Sequence, residues 1–342
     1  MSFSQPNEHT RLLNILIMLG YPNQFIEPVL MNSGYPLKEI ALKIPLPEYN
    51  REKGSSAVPD IAYSSENINA ALFFEAKTGG ADDDQLDRFL FVQKNPSTLI
   101  RTPNNLNLTL ENVVIDFGIM CTNLEKIEHD DEISKISFPV LQYDKASNVI
   151  RQSQKIIKEF NNPSLNSVLS HPIHVHNNIP LLYLPYSPED NDAYIIRKII
   201  TIIIAESLKI KTNESLPPIE DLIIKGIPVG PFIHKEEMNK IIAIVKRILK
   251  NLFPDNSDRS EYNISKYITY KNGRTFIRKK TMRKFLEKMD LAIIDLERGK
   301  LTRQAILSEF NENGRFLPDM MSNIDILFNP DLFFITETDD LN

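Results

Sequence analysis

A chain of 342 residues, 42% of them hydrophobic, is long and apolar enough to bury a real core, which excludes a disordered polymer. Its formal net charge of −6 excludes attachment to nucleic acid through an overall basic field. The single cysteine, Cys121, excludes an intrachain disulfide and a thiolate-rich zinc site. The N-terminal MSFSQPNEHT lacks a basic segment followed by an apolar run. The apolar stretch from Ala193 to Ala205 is short and broken by Arg197-Lys198, where a spanning helix needs ~20 apolar residues. A cytoplasmic protein without membrane association is the expectation.

Taken in order, residues 8–19 (EHTRLLNILIML) read as a short helix stopped by Gly20-Tyr21-Pro22. Phe25 to Met31 reads as another, with Glu27 before Pro28 near its start and Gly34-Tyr35-Pro36 as its stop. Ile40 to Leu46, Ala57 to Tyr63 and Ala70 to Lys77 are short apolar runs with strand character, the last two a hairpin. Gly79-Gly80 breaks the third run. Gln85 to Gln93 then follows helical periodicity through Leu86, Phe89, Leu90 and Val92. Asn112 to Cys121 is nearly continuous in apolar residues, as a strand buried on both faces would be. A strand at 136–143 and a helix at 147–160 complete this unit. Beyond a proline-containing loop, helices are expected at 192–210, 235–252 and 279–297, with a hairpin over 267–277 turning at Asn272-Gly273.

One set of residues carries chemistry. The two-residue strand period puts Glu75 and Lys77 on one face with Ala76 turned away, and the hairpin brings Asp60 alongside Glu75. Two close carboxylates repel unless a cation lies between them, and Mg²⁺ takes hard oxygen ligands from one or two carboxylates plus substrate phosphate. Such a site suits phosphodiester hydrolysis: the ion polarises water and phosphate, and a lysine adds a point charge or orients the water. An ordinary hairpin with polar strand ends is the plainer reading of the same residues.

Pro59-Asp60, fourteen residues, then Glu75-Ala76-Lys77 resembles the PD-(D/E)XK nuclease signature, and the helix, three strands, helix, strand order resembles that superfamily's core. The segments GYPLKEIALKIPLP and VPDIAYSSENINAALFFEAK are also similar to the N-terminal nuclease domain of type I restriction enzyme R subunits, although the helicase signature of those subunits is absent. The resemblance, which covers roughly residues 20–125, implies an α/β fold with a restriction-endonuclease-like core, placed at residues 1–160; the helical runs beyond it make 190–342 a mainly helical domain. It implies Asp60, Glu75 and the Ala76 carbonyl as ligands of Mg²⁺ or Mn²⁺, with Lys77 assisting attack by water. Gln85-Leu-Asp-Arg-Phe89 looks like a variant of a Gln-x-x-x-Tyr motif, with Phe89 where the tyrosine stands, and makes Gln85 a further catalytic candidate. Members usually carry another acid on the first core helix; Glu27 is the first choice, with Glu8 and Glu39 as alternatives.

Charge is distributed unevenly: residues 1–150 carry a net −8, residues 235–288 a net +9 and residues 289–342 a net −7. Within the basic segment, Lys271 and Arg274 flank a hairpin turn, and Lys280, Arg283, Lys284 and Lys288 share one helical face if the helix is continuous. Such a face either tracks phosphates or is a solvated surface balancing the acidic tail. Tyr267, Tyr270 and Phe276 stack on bases or, more cheaply, form hairpin core. Asp82, Asp83 and Asp84 read as a solvated helix start, and His171, His174 and His176 as polar loop or strand rather than zinc ligands. The resulting expectation is a metal-dependent DNA endonuclease of restriction or antiviral defence, with DNA as partner and room for a protein partner or a homodimer. Its rivals are an inactive nuclease-fold scaffold subunit and a partner-activated RNase.

Overall fold

Asn7 starts the first helix, α1 (Glu8–Gly20): its side chain accepts the Thr10 N–H at 2.7 Å, satisfying one of the donors a helix start leaves open. Nearly every residue from Leu12 to Gly20 is buried, so α1 is an interior helix, and Tyr63 Oη donates to the Leu16 carbonyl at 2.6 Å to anchor it on the sheet. The computed structural model describes residues 6–49, 55–79, 83–102, 106–109, 111–124, 137–176, 183–187, 190–210, 216–253 and 267–297. Residue 136 of the expected strand, Asp82 of the expected helix start and residues 298–342 of the expected helical domain lie outside those residues.

A seven-stranded sheet forms the centre, in the order β1 (Leu37–Ile40), β4 (Ile61–Ser65), β5 (Ala70–Lys77), β6 (Val114–Cys121), β7 (Val140–Asp144), β8 (Val149–Gln152) and β9 (Ile173–His174). The hairpin β4–β5 is antiparallel, whereas β5, β6 and β7 run parallel. A parallel pair needs a crossover, and helix α3 (Asp83–Lys94) lies in the connection from β5 to β6. Strand parity assigns the two faces. Ala62, Ala71, Phe73, Ile115, Phe117 and Ile119 point into the core shared with Leu86, Phe89 and Val92 of α3, where Phe89 stacks on Phe117 with centroids 4.8 Å apart. Tyr63 and Phe74 occupy the α1 side and meet edge to face.

Four sequence expectations are corrected here. The run Ile40–Leu46 is two strands, β1 and the short β2 (Ile44–Pro45), because the chain turns at Ala41; likewise the next run splits into β3 (Ser56–Ala57) and β4 around Pro59, whose ring nitrogen cannot donate to a ladder. The helix expected from Phe25 to Met31 is only the single turn α2 (Val29–Asn32), since Ile26 extends to pair with Val175 beside β9. Residues 147–160 are not helical. Asn148 adopts φ +52, and the Asp144 carboxylate accepts from Ala146 N–H and Ser147 Oγ, so the chain turns back as the β7–β8 hairpin; the next helix is α4 (Pro163–Leu169).

Among the described residues between Asp192 and Glu297 stand four helices, α5 (Asp192–Leu208), α6 (Ile219–Gly226), α7 (Lys235–Leu252) and α8 (Met282–Glu297), and the hairpin β10 (Ile268–Lys271)–β11 (Arg274–Ile277). Asn272 and Gly273, at φ +51 and +70, supply the left-handed pair that a two-residue hairpin loop requires. The α7 start is joined to the sheet: Ile233 bridges to Ile40 in parallel, and His234 N–H donates to the Ile40 carbonyl at 2.9 Å. Met1–Glu297 forms one compact unit, so the sheet and the helices that follow it are packed together rather than strung on a linker. No helix among the described residues is long and apolar enough to cross a membrane.

Gly118 on β6 lies opposite Phe74, and a Cβ there would come within 2.5 Å of the Phe74 ring. Phe74 is fully buried, so Gly118→Ala is expected to destabilise the fold by about 1–3 kcal/mol in urea unfolding; a wild-type midpoint would contradict this packing.

Candidate active site

The β4–β5 register pairs Ile61 with Phe74, which sets Asp60 across from Glu75 at the end of β5. The Ala76 N–H donates to Asp60 Oδ2 at 2.8 Å, tying the first carboxylate to the backbone between the other two site residues. Glu75 and Lys77 share a face, with Lys77 Nζ 3.0 Å from Glu75 Oε1. Helix α3 completes the cluster from its first turns. Gln85 Oε1 accepts from Lys77 Nζ at 2.5 Å while its Nε2 donates to Glu75 Oε1 at 2.8 Å. A carboxamide serves a cation through its oxygen and an anion through its N–H at once. Phe89, one turn further along α3, is core and has no hydroxyl to offer the site.

The electrostatics of Glu75 are unusual. Its side chain is buried, and among the described residues Oε2 has no hydrogen-bond partner. Burial, and next the Asp60 charge, push its pKa up to about 8, against the opposing pull of Lys77 and Gln85. A buried carboxylate facing a second carboxylate, with one oxygen unsatisfied, is a place where a cation removes both penalties. Among the described residues no group of three or more His, Cys, Asp or Glu side chains forms a metal cage. Mg²⁺ does not need one, because it takes one or two carboxylates and fills the rest of its octahedron with water and phosphate. Asp60 and Glu75 fit that requirement, and their hard oxygens suit Mg²⁺ or Mn²⁺.

A group that sequence reading missed also reaches the cluster. His9, in the first turn of α1, places Nε2 3.4 Å from Asp60 Oδ2. Fifty-one residues separate the two in the chain, and a lone histidine near a helix start carries no periodic or motif signal. The helix acids fall elsewhere. Glu27 is exposed in the extended segment next to β9, with β6, β7 and β8 lying between that edge and β5. Glu8 pairs with Lys145 at 3.2 Å, and Glu39, buried on β1 opposite Ala62, lies 4.0 Å from His234.

The basic segment is rearranged relative to expectation. Lys288 is not on a solvated face: it is 6% exposed, with Nζ 4.8 Å from the centroid of Phe253 and 5.6 Å from that of Tyr267, and desolvation lowers its pKa. Helical spacing alone aligned it with Arg283 and Lys284, but α8 turns the side carrying Phe285 and Met289 inward and takes Lys288 with it. Lys280 sits in a 3₁₀ turn (Lys279–Thr281) before α8. Arg274 pairs with Asp221 of α6, and Arg283 with Glu287 at 3.0 Å. Lys271, Lys280 and Lys284 are exposed. Acids of α5 and α6 thus answer part of the segment's charge, as Arg247 with Asp192 at 2.5 Å also shows. Tyr267 is core, packed edge-on against Phe253. His171 and His174 are exposed, and His171 Nδ1 lies 3.0 Å from the Ser167 carbonyl.

Because the folded pKa of Glu75 is raised above its ordinary 4.5, its protonated form favours the fold; that contribution is complete below 4.5 and is lost as pH rises towards 8. The stability of wild type minus that of Glu75→Gln is therefore expected to fall between pH 5 and pH 9 in metal-free buffer. Paired thermal melts measure it, and a flat difference would contradict the burial argument.

A family model described as the MJECL32 domain matches residues 8–184, from the His9 turn through Asp60, Lys77 and Gln85 to the end of the sheet. Over 100 residues the chain is 29% identical to the uncharacterized protein MJECL32 of Methanocaldococcus jannaschii, a match covering 28% of this chain and 23% of that protein. The match thus spans less than a quarter of that relative's length. No solved structure matches the chain. Since the family model takes in just over half of the residues, the chain belongs to the MJECL32 domain family.

Proposed function

We propose that this protein is a Mg²⁺- or Mn²⁺-dependent endonuclease that hydrolyses phosphodiester bonds of DNA. The observation that carries the reading is the Asp60–Glu75 pair at the strand end, with a buried, unpartnered Glu75 oxygen beside Lys77. The hairpin β4–β5, the crossover helix α3 and the parallel strand β6 support a restriction-endonuclease-like core, in keeping with the resemblance of Pro59-Asp60…Glu75-Ala76-Lys77 to the PD-(D/E)XK signature. The likeness to restriction nucleases extends the reading to defence against foreign DNA.

A bound divalent ion supplies positive charge that polarises the attacking water and the scissile phosphate. The protein's own residues do the rest. Asp60, fixed by the Ala76 N–H, and Glu75, fixed by Gln85, present oxygens from two adjacent strands, so the carboxylates are oriented before substrate arrives. Lys77, a point charge held by Gln85, orients the attacking water and offsets charge developing on the phosphate as the new P–O bond forms and the bond to the leaving sugar oxygen breaks. Lys271, Lys280 and Lys284 offer separate exposed cations for the DNA backbone.

Incubating supercoiled plasmid with protein and Mg²⁺ or Mn²⁺ is expected to give nicked and linear products. Asp60→Ala should abolish them, and Lys77→Ala should slow them about 10²–10³-fold, with circular dichroism unchanged in both. Undiminished cleavage by both variants would sink the assignment, and inert wild-type protein on duplex DNA, single-stranded DNA and RNA would favour a scaffold subunit.

A further inference from the structure

At Asp60 two paired strands change direction together. β1 and β4 are antiparallel neighbours in the large sheet, while β2 and β3, which flank them in the chain, pair only with each other in a separate ribbon. The corner has two sides, Ala41 on one and Pro59-Asp60 on the other, and the Ala41 N–H donates to the Asp60 carbonyl at 2.7 Å. The β4–β5 pairing ends at Ile61 and Phe74; two residues further along β5 the Ala76 N–H bonds the Asp60 carboxylate. The bend that carries the chain out of the sheet is thus what turns the Asp60 carboxylate in along the end of β5.

Ala41 adopts φ +57, and every other non-glycine residue at positive φ among the described residues is asparagine, whose short polar side chain tolerates that region. An alanine there crowds its Cβ against the backbone, and such strain persists only where the surroundings fix it. Here the neighbouring chain segments fix it. Ile40 is paired to Ile233 and accepts from the His234 N–H, and Lys43 Nζ contacts both carboxylate oxygens of Glu236 at 2.9 and 3.0 Å. The start of α7 therefore grips the chain on both sides of Ala41.

We propose that Ala41 is a positioning residue: its strained corner, braced by the start of α7, holds the Asp60 carboxylate beside Glu75. The claim rests on the reading of Asp60 and Glu75 as a cation site. Glycine at this position relieves the crowding but frees the corner to relax, whereas asparagine tolerates the left-handed region and keeps a Cβ. Ala41→Gly is expected to melt no lower than wild type, yet to bind Mn²⁺ about tenfold more weakly and to exchange amide hydrogens over residues 74–79 about tenfold faster. Ala41→Asn is expected to keep wild-type affinity and protection. Calorimetry, Mn²⁺ titration followed by electron paramagnetic resonance, and hydrogen–deuterium exchange read these out. A loss of affinity without a loss of melting temperature is what a merely structural role would not produce. Wild-type Mn²⁺ affinity and exchange in Ala41→Gly would overturn the proposal. If wild-type protein itself binds no Mn²⁺, the cation reading falls, and unchanged or faster exchange at 74–79 still decides the role of Ala41.

Discussion

Two carboxylates set opposite each other at the end of a buried strand are the constraint around which the rest of this structure is arranged. Asp60 and Glu75 repel, and Glu75 is deprived of the water that would screen it, so the fold must hold them against a force that would separate them. It does so with backbone. Asp60 is fastened through the Ala76 N–H and, at its own carbonyl, through Ala41; Glu75 belongs to β5, which is paired with β6 along its length and with β4 as far as Phe74. The central position of β5 explains why a charged side chain can be carried at its end. Phe73 and Phe74, immediately before Glu75, face opposite cores and fix the strand between α3 and α1.

Helix α3 then has a double task. As the crossover between β5 and β6 it is required by the parallel pairing, and its apolar side, through Leu86, Phe89 and Val92, fills the core on that face. The same packing sets the height and rotation of Gln85, which can bridge Lys77 and Glu75 only if the helix start lies over the end of β5. Core packing and site geometry are therefore one problem, solved by one helix.

Much of this was legible in the chain and some was not, for identifiable reasons. β5 and the hairpin to β4 follow from an unbroken apolar run bounded by a glycine break, and Asp60, Glu75 and Lys77 could be placed together because strand parity and one register decide their meeting, whereas Gln85, on a helix, was reachable only through the resemblance to the Gln-x-x-x-Tyr motif. Strand ends were harder. Ala41 carries no composition signal for a corner, since glycine or asparagine is the usual marker, so two short strands read as one. The residues after Asn148 have apolar spacings compatible with a helix, and only the left-handed asparagine and the pairing to β7 make them a strand. His9 and Lys288 were misread or missed for the same reason: what surrounds them, Asp60 in one case and Phe253 and Tyr267 in the other, comes from distant parts of the chain.

The bridge between Ile40 and Ile233 has a further consequence. β1 is the outer strand of the large sheet, and an uncovered outer strand offers its free amides and carbonyls to any passing chain. Here the segment just before α7 occupies that place, although it lies beyond residue 184, where the family match ends. A fragment cut at that boundary would keep every residue of the Asp60–Glu75–Lys77–Gln85 cluster and lose the cover of its own edge, leaving that edge open to self-association.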